Sequence, residues 1–282
     1  MVGQNELKQT LTAHLEKGTL PPLVIITGSE GSGKKTLTRE IFSSVRSKFL
    51  EDVKVETIRK MISDSYSEKG MHYVIPDAGR MSPAAKSALL KITEEPANGC
   101  KYIITLNNLQ EVPPTITSRG AIFRMDPYSA GELEEYVNTH HKDKFKKLDS
   151  EDAKFVMRTC HNPGEINMML DYDVKAFRKY VELTLDNITE VSGANSFKIS
   201  EKLKVKETDK HYDLKLFWSA YSAEALYRST ERVGLERLRY LYHTRETNRC
   251  LQELGVPGIN KKMLVDDWIL SIRREVSSLG VD

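Results

Sequence analysis

The feature that most constrains the fold of this chain is a glycine-rich segment that follows a short apolar run. The run is Leu23–Thr27, and the next nine residues, 28–36, read Gly-Ser-Glu-Gly-Ser-Gly-Lys-Lys-Thr. Their glycines and Lys34 fit a phosphate-binding loop, whose pattern is Gly, four residues, Gly-Lys, and then Ser or Thr. A buried strand that ends in such a loop and opens a helix directs backbone N–H groups and the helix N-terminus at a phosphate. The pattern predicts a nucleotide site made by Gly28, Gly31, Ser32, Gly33, Lys34, Lys35 and Thr36.

One position departs from this pattern. Lys35 stands where a Ser or Thr hydroxyl normally ligates Mg²⁺, and an ammonium group has no lone pair to offer a cation. Thr36 could supply a hydroxyl, but it lies about 100° further round the helix. The sequence therefore leaves Mg²⁺ binding open. It also leaves open the alternative of a glycine-rich turn that holds no ligand.

Composition limits the class of protein and its surroundings. The chain has 282 residues, of which 39% are hydrophobic and 29% charged, which suits a globular protein of two or three domains. We expect no membrane span and no export signal, because no apolar run of the necessary length is present. The three cysteines are far apart, which suits a reducing cytoplasm. Because the net charge is only +2, any contact with nucleic acid has to come from a local patch.

Strands and helices alternate over residues 1–127. Helices are predicted over Lys34–Lys48 and from Ser82, a helix cap followed by Pro83, to Ile92. Such alternation predicts an α/β domain with a parallel sheet, whose ligands bind at the carboxyl ends of the strands. The predicted strands are Val24–Gly28, Val53–Ile58, Tyr73–Asp77, Tyr102–Leu106 and Ala121–Met125.

The remainder of the chain has few strand signals and reads as helical. Ser129 and Glu132 form a capping box at the start of the first of these helices. Apolar spacing in the last segments predicts helices with buried faces in a bundle, with Trp218 and Trp268 in its core.

Three further segments carry a resemblance to a known family. Residues 88–96 read Ala-Leu-Leu-Lys-Ile-Thr-Glu-Glu-Pro, residues 114–120 read Pro-Thr-Ile-Thr-Ser-Arg-Gly, and the chain opens with Val2-Gly3-Gln4, which resembles an adenine-pocket stretch. In this order they resemble AAA+ sliding-clamp loader small subunits, the family of DNA polymerase III delta-prime and gamma and of replication factor C small subunits. The resemblance covers residues 1–170, and the rest fits the family by architecture only. It implies a P-loop NTPase domain over 1–127, a helical lid over 128–173 and an all-α oligomerisation collar over 174–282.

The resemblance also implies that catalytic positions are altered. Pro76 stands where active relatives have a metal-linked Asp, and Asp77 stands where they have a water-activating Glu. Asn107 matches a sensor residue that hydrogen-bonds the γ-phosphate or water, and Asn167 replaces the arginine of a second sensor. Asp77 and Asn107 are therefore candidate catalytic residues, although each could equally be a turn or loop residue.

Arg119 is the exception, because it keeps the family residue. It matches the arginine that reaches a neighbouring subunit's nucleotide and stabilises transition-state charge, an arginine finger acting in trans. The alternative is a surface arginine that caps the C-terminus of a helix.

Two cations near residue 82 are candidates for DNA contact. Arg80 and Lys86 flank the predicted N-terminus of the Ser82 helix, and this region faces DNA in the family. A helix N-terminus with nearby cations suits phosphate groups. Most surface lysines and arginines are simply solvated, and that alternative stays open.

These features lead to one interpretation and two alternatives. The chain is interpreted as a subunit of a hetero-oligomeric clamp-loader ring that binds ATP or ADP and hydrolyses it poorly or not at all. It would supply Arg119 to a partner subunit while the ring loads a sliding clamp onto primer–template DNA. One alternative is a catalytically active ATPase subunit in which Thr36 and Asp77 compensate. The other is an AAA+ scaffold unrelated to clamps.

Overall fold

The computed structural model describes residues 1–189, 203–204, 212–256 and 258–279. The chain divides into two units by its internal contacts. The first comprises Met1–Glu132 with Asn162–Gly164, and the second comprises Leu133–His161 with Glu165–Asp282. The three-part division into nucleotide-binding domain, lid and collar stays a prediction.

A parallel sheet forms the centre of the first unit. Its five strands lie in the order β2-β3-β4-β1-β5, and every neighbouring pair is parallel. All five residues of β1 are buried, as expected for a central strand with both faces covered. The predicted α/β class is therefore confirmed. The strand bounds are β1 Leu23–Thr27, β2 Ser47–Phe49, β3 His72–Ile75, β4 Lys101–Leu106 and β5 Ala121–Arg124.

Alternate residues of the central strand enter two different apolar clusters, one on each face of the sheet. Leu23 and Ile25 pack in a cluster with residues of α3, α4 and α5, whereas Val24 and Ile26 pack with residues of α1 and α2. The two clusters follow from the period of two along a strand. The helix bounds are α1 Asn5–Glu16, α2 Lys34–Phe42, α3 Val55–Ser67, α4 Pro83–Glu94 and α5 Pro114–Thr117. Short 3₁₀ turns occur at Ala78–Arg80, Ala97–Gly99 and Leu109–Glu111.

The sequence prediction for the second strand is wrong. Helix α2 ends at Phe42 rather than Lys48, the edge strand β2 follows soon after, and the predicted strand Val53–Ile58 falls on the start of α3. The buried residues Ile58 and Met61 show the helical spacing of three. Asp52 lies just before this helix, and its Oδ1 accepts hydrogen bonds from the Lys54 N–H and the Thr57 hydroxyl. The apolar Val53 and Val55 imitate a strand because they alternate with polar residues. Helix α1 was not among the predicted elements.

The second unit is mainly helical, which agrees with the predicted all-α C-terminal part. Trp218 and Trp268 are both fully buried, and the Trp268 indole N–H donates to the Thr247 hydroxyl at 2.9 Å, which confirms their predicted place in the bundle core. The helices that lie wholly or partly here are α6 Ala130–His140, α7 Lys142–Phe145, α8 Ser150–Thr159, α9 Pro163–Leu170, α10 Val174–Asn187, α11 Leu214–Thr230, α12 Gly234–Leu254 and α13 Lys261–Ser278. A short parallel pair, β6 Leu203–Lys204 and β7 Tyr212–Asp213, was not predicted.

Candidate nucleotide-binding site

The glycine-rich loop, residues 28–36, joins β1 to α2 at the carboxyl end of a strand inside the sheet. Gly31 and Gly33 have φ of +82° and +91°, a region that favours glycine. Lys34 is the first residue of α2 and is buried. Its Nζ donates to the carbonyl oxygens of Gly28 and Ser29 at 2.8 and 2.7 Å. The Lys34 ammonium group is thus hydrogen-bonded to carbonyl oxygens of its own loop.

Two residues far along the chain close on the apex of this loop within the first unit. The Gly164 N–H donates to the Gly31 carbonyl at 3.0 Å. A Cβ added to Gly164 would lie 2.4 Å from the Gly31 Cα, and one added to Gly31 would lie 2.5 Å from the Asn162 Oδ1. Both positions therefore require glycine. The sequence did not predict these contacts. Asn-Pro-Gly at 162–164 indicates the start of a helix, but it does not indicate that this start contacts the glycine-rich loop.

The start of the chain and the segment after β5 also approach the loop. The Tyr128 hydroxyl donates to the Ser32 carbonyl at 2.8 Å. The Gln4 side-chain amide exchanges two hydrogen bonds, of 2.7 and 2.9 Å, with the backbone of Asp126. Gln4 is buried and holds a left-handed φ of 58°, a strained conformation for a residue with a side chain. The stretch that resembles an adenine pocket is thus anchored at the carboxyl end of β5.

Lys35 and Asp77 form an ion pair where a P-loop enzyme holds its metal. The Lys35 Nζ lies 2.6 Å from the Asp77 Oδ2, with the two side chains 56% and 29% exposed. Asp77 has a φ of 50°, and its N–H donates to the buried Thr105 hydroxyl of β4 at 2.9 Å, which holds the turn in place. Pro76 immediately before it offers no carboxylate, and Thr36 is exposed on α2.

These donors do not fit a divalent cation. Of the positions that normally hold Mg²⁺, Lys35 carries an ammonium and Pro76 carries no donor, while the Asp77 carboxylate is already paired. The described residues contain no group of three or more His, Cys, Asp or Glu that could hold a metal ion.

Asn107 follows β4 directly, at the same edge of the sheet as Asp77. Its backbone N–H and its Nδ2 donate to the two carboxylate oxygens of Glu111, at 3.0 and 3.3 Å. Glu111 also covers Gly79, where an added Cβ would lie 2.2 Å from the Glu111 Oε2. Sequence analysis missed Glu111, which orients the predicted sensor amide.

Arg119 lies just after α5 and is held by two contacts. Its Nη1 donates to the Thr115 carbonyl at 2.7 Å, and its Nη2 lies 3.0 Å from the Glu94 Oε1. The first contact is the helix-capping geometry of the alternative interpretation, and the second ties the guanidinium to the end of α4. The side chain remains 37% exposed. A role in trans stays a prediction.

Asn167, which the resemblance matches to the second sensor, forms its contacts within the second unit. Its Oδ1 accepts a hydrogen bond from the Tyr136 hydroxyl at 2.9 Å and lies 2.6 Å from the His141 Nε2. The side chain thus links α9 to α6 and to the residue that follows α6.

Arg80 and Lys86, the predicted DNA contacts, lie on either side of the start of α4. Arg80 is exposed and Lys86 is half-buried, while the Ser82 hydroxyl caps the helix by accepting from the Ala85 N–H at 3.2 Å. Arg80 lines the same groove, of about 570 Å³, as the Lys35–Asp77 ion pair. The groove is lined by residues 51–56, Lys35, Pro76, Asp77, Arg80 and Ser82. Lys86 is not part of this lining. DNA binding stays a prediction.

Comparison with known proteins shows that the chain is similar to replication proteins. The family described as DNA polymerase III, delta subunit, matches residues 47–129. The replication factor C small subunit of Methanococcus maripaludis is 28% identical over 151 residues, which are 48% of this chain and 48% of that protein. The DNA polymerase III subunit gamma of Buchnera aphidicola is 22% identical over 287 residues, covering 86% of this chain and 76% of that one.

The match to replication factor C is partial, and one solved structure supports the fold. The chain spans about half the length of the replication factor C proteins that it matches. A mutant of Thermotoga maritima RuvB superposes with a TM-score of 0.51 at 17% identity, over 96% of this chain and 88% of that one. In the part of the chain that the structure describes, no helix has the length and apolarity needed to cross a bilayer.

Proposed function

We propose that the chain is an AAA+ clamp-loader ring subunit that holds ATP or ADP without efficient hydrolysis, a proposal supported by its similarity to DNA polymerase III and replication factor C subunits. In this proposal it supplies Arg119 to the nucleotide site of a neighbouring subunit. Its partners are the other loader subunits, a sliding clamp and primer–template DNA, and it works in the cytoplasm.

The Lys35–Asp77 ion pair is the observation that carries this proposal. Hydrolysis at a P-loop needs a metal to neutralise developing charge and a positioned carboxylate to orient the attacking water. Lys35 removes the hydroxyl ligand, Pro76 removes the carboxylate, and the ammonium 2.6 Å away occupies Asp77. Three elements of the hydrolytic machinery are therefore changed together, whereas the glycines and the lysine of the phosphate loop are kept.

The loop retains what nucleotide retention requires. Gly31 and Gly33 have the positive φ values that favour glycine in such a loop, and Lys34 lies at the first turn of α2. Its Nζ donates to two neutral carbonyls of its own loop. Exchanging these acceptors for phosphate oxygens gives hydrogen bonds in which both groups are charged, which are stronger. Binding is therefore favourable without rearrangement of the sheet.

The test is the steady-state ATPase rate of the reconstituted loader with Lys34→Ala in this chain. We expect total turnover to change little, because the nucleotide in this pocket is held rather than consumed. Brisk ATP turnover by the isolated chain would contradict the proposal and favour the active-enzyme alternative. Capture with the purified sliding clamp in the presence of ATP tests the other alternative, since a scaffold unrelated to clamps would not bind it.

A further inference from the structure

We propose that the Lys35 ammonium takes the place of Mg²⁺ in this pocket, so that the chain binds ATP or ADP without a divalent cation. This inference rests on the proposed function, because it concerns the same loop. It goes further because it names the cation that accompanies the phosphates, and this cation is a side chain of the polypeptide.

The charges at the start of α2 favour an anion. The first two residues of the helix are Lys34 and Lys35, and its first turn contains no acidic residue. The N-terminus of a helix already carries partial positive charge, so cations there are unfavourable unless an anion lies nearby. Asp77 supplies one negative charge, to Lys35. A polyphosphate, which carries several, suits this concentration of positive charge.

The Lys35 ammonium can also link the same groups that the metal ion of a P-loop NTPase links. In a P-loop NTPase the cation links protein carboxylates to the phosphate oxygens. An ammonium group has three N–H donors, so Lys35 can keep one hydrogen bond to Asp77 and direct the others at a phosphate. Its side chain is 56% exposed on the wall of an open groove. It therefore has room to turn towards a ligand in the loop.

A metal ion would compete with this arrangement rather than add to it. Mg²⁺ requires near-octahedral oxygen ligands, and Lys35 and Pro76 supply none at the usual positions. Any dication bound to Asp77 would have to displace an ammonium that lies 2.6 Å from the carboxylate, or suffer its repulsion at close range.

The experiment is calorimetric titration of the full chain with ATP and with ADP, in excess Mg²⁺ and again in excess EDTA. We expect the same affinity in both conditions for the wild type. Lys35→Thr, which restores the usual hydroxyl, should bind about tenfold to hundredfold more weakly in EDTA, since it loses a charge-assisted hydrogen bond. Lys35→Arg keeps the charge and should retain binding in EDTA. Lys35→Thr combined with Pro76→Asp should recover affinity when Mg²⁺ is added.

A matched control separates this role from the loss of any surface ion pair. Lys48 on the edge strand β2 pairs with Asp64 at 2.6 Å, with side-chain exposures of 45% and 29%, close to those of the Lys35 pair. Lys48→Thr should leave nucleotide affinity unchanged in both buffers. Thermal unfolding of each variant verifies that the fold is intact.

The outcomes distinguish this inference from the proposed function. Wild-type binding that requires Mg²⁺ overturns the inference and leaves nucleotide retention standing. No binding in either buffer overturns both. If Lys35→Thr binds in EDTA as tightly as the wild type, Lys35 is not the substitute cation and the inference fails.

Discussion

At the scale of single residues, the site is defined by side chains that replace the expected ones and by glycines that admit no side chain. Lys35 and Pro76 determine the chemistry of the pocket, and one lies on the exposed side of α2 while the other follows β3. Gly31 and Gly164 do the opposite, since they bind nothing through side chains but let two segments touch. The chemistry and the shape of this site are therefore specified by different residues.

Gly164→Ala is expected to open the loop. The new Cβ would lie 2.4 Å from the Gly31 Cα, so backbone must move, which costs about 1–3 kcal/mol, and nucleotide affinity should fall by about tenfold or more. Gly131→Ala in α6 is the control, because nothing lies within 4 Å of its added Cβ. Urea unfolding and ATP titration measure both effects, and equal behaviour of the two variants would show that the contact is unimportant.

At the scale of elements, the helical bundle of the second unit packs around a buried histidine. His243 on α12 is fully buried and its Nδ1 lies 2.6 Å from the Tyr221 hydroxyl of α11. Burial lowers the pKa of His243 to about 3, and the nearby positive charges of Arg239 and Arg228 act in the same direction. The imidazole between α11 and α12 is therefore neutral at ordinary pH.

This histidine makes the bundle sensitive to acid. Its pKa in the fold is below the value of about 6.5 in the unfolded chain, so its contribution is fully present above that value and is lost as pH falls towards 3. Between pH 7 and pH 5 the wild type should lose about 2 kcal/mol of unfolding free energy from this group.

Urea unfolding at each pH, followed by tryptophan fluorescence, measures this loss of unfolding free energy. Trp218 and Trp268 both lie in the same bundle and report on its unfolding. His243→Gln removes the titration and should give a flatter dependence of unfolding free energy on pH between 7 and 5. An identical pH dependence in the wild type and the variant would contradict the assigned cause.

At the scale of the whole molecule, the proposed function depends on neighbouring subunits in an assembly. The chain is similar to clamp-loader subunits, and in the proposed ring each nucleotide site receives an arginine from the adjacent subunit. Arg119 is suited to that role because its guanidinium is partly exposed and is tethered by Glu94 rather than buried. To change partner, the arginine has to break an ion pair with an exposed carboxylate, which costs little, and the hydrogen bond from its Nη1 to the Thr115 carbonyl.

Arg119→Ala should therefore reduce the ATPase of the neighbouring subunit by about 10³–10⁵-fold if that arginine finger dominates its catalysis. Arg119→Lys should not rescue the rate, because lysine lacks the planar fork of donors. Arg59→Ala, at an exposed position on α3, is the control. Size-exclusion chromatography of the assembled ring accompanies the assay, and loss of assembly would make Arg119 a structural residue instead.

Much of the fold was predictable from sequence, and the reasons are local. The strand β1, the loop and α2 are contiguous, so an apolar run, glycines and a lysine in order are enough to predict them. The prediction failed between residues 43 and 58, because β2 has only three residues and Val53 and Val55 alternate like a strand before α3 begins. Short strands and helix starts lack the length over which a period becomes clear.

The sequence by itself determined the α/β class, the resemblance to clamp-loader subunits and the residue types at positions 35 and 76, since each depends on residue type and spacing along the chain. The tertiary structure alone decided that Lys35 meets Asp77, that Glu111 holds Asn107 and that Gly164 closes on Gly31. Such contacts depend on which strand ends share an edge of the sheet and on how a loop bends back. Periodicity along the chain carries no information about either.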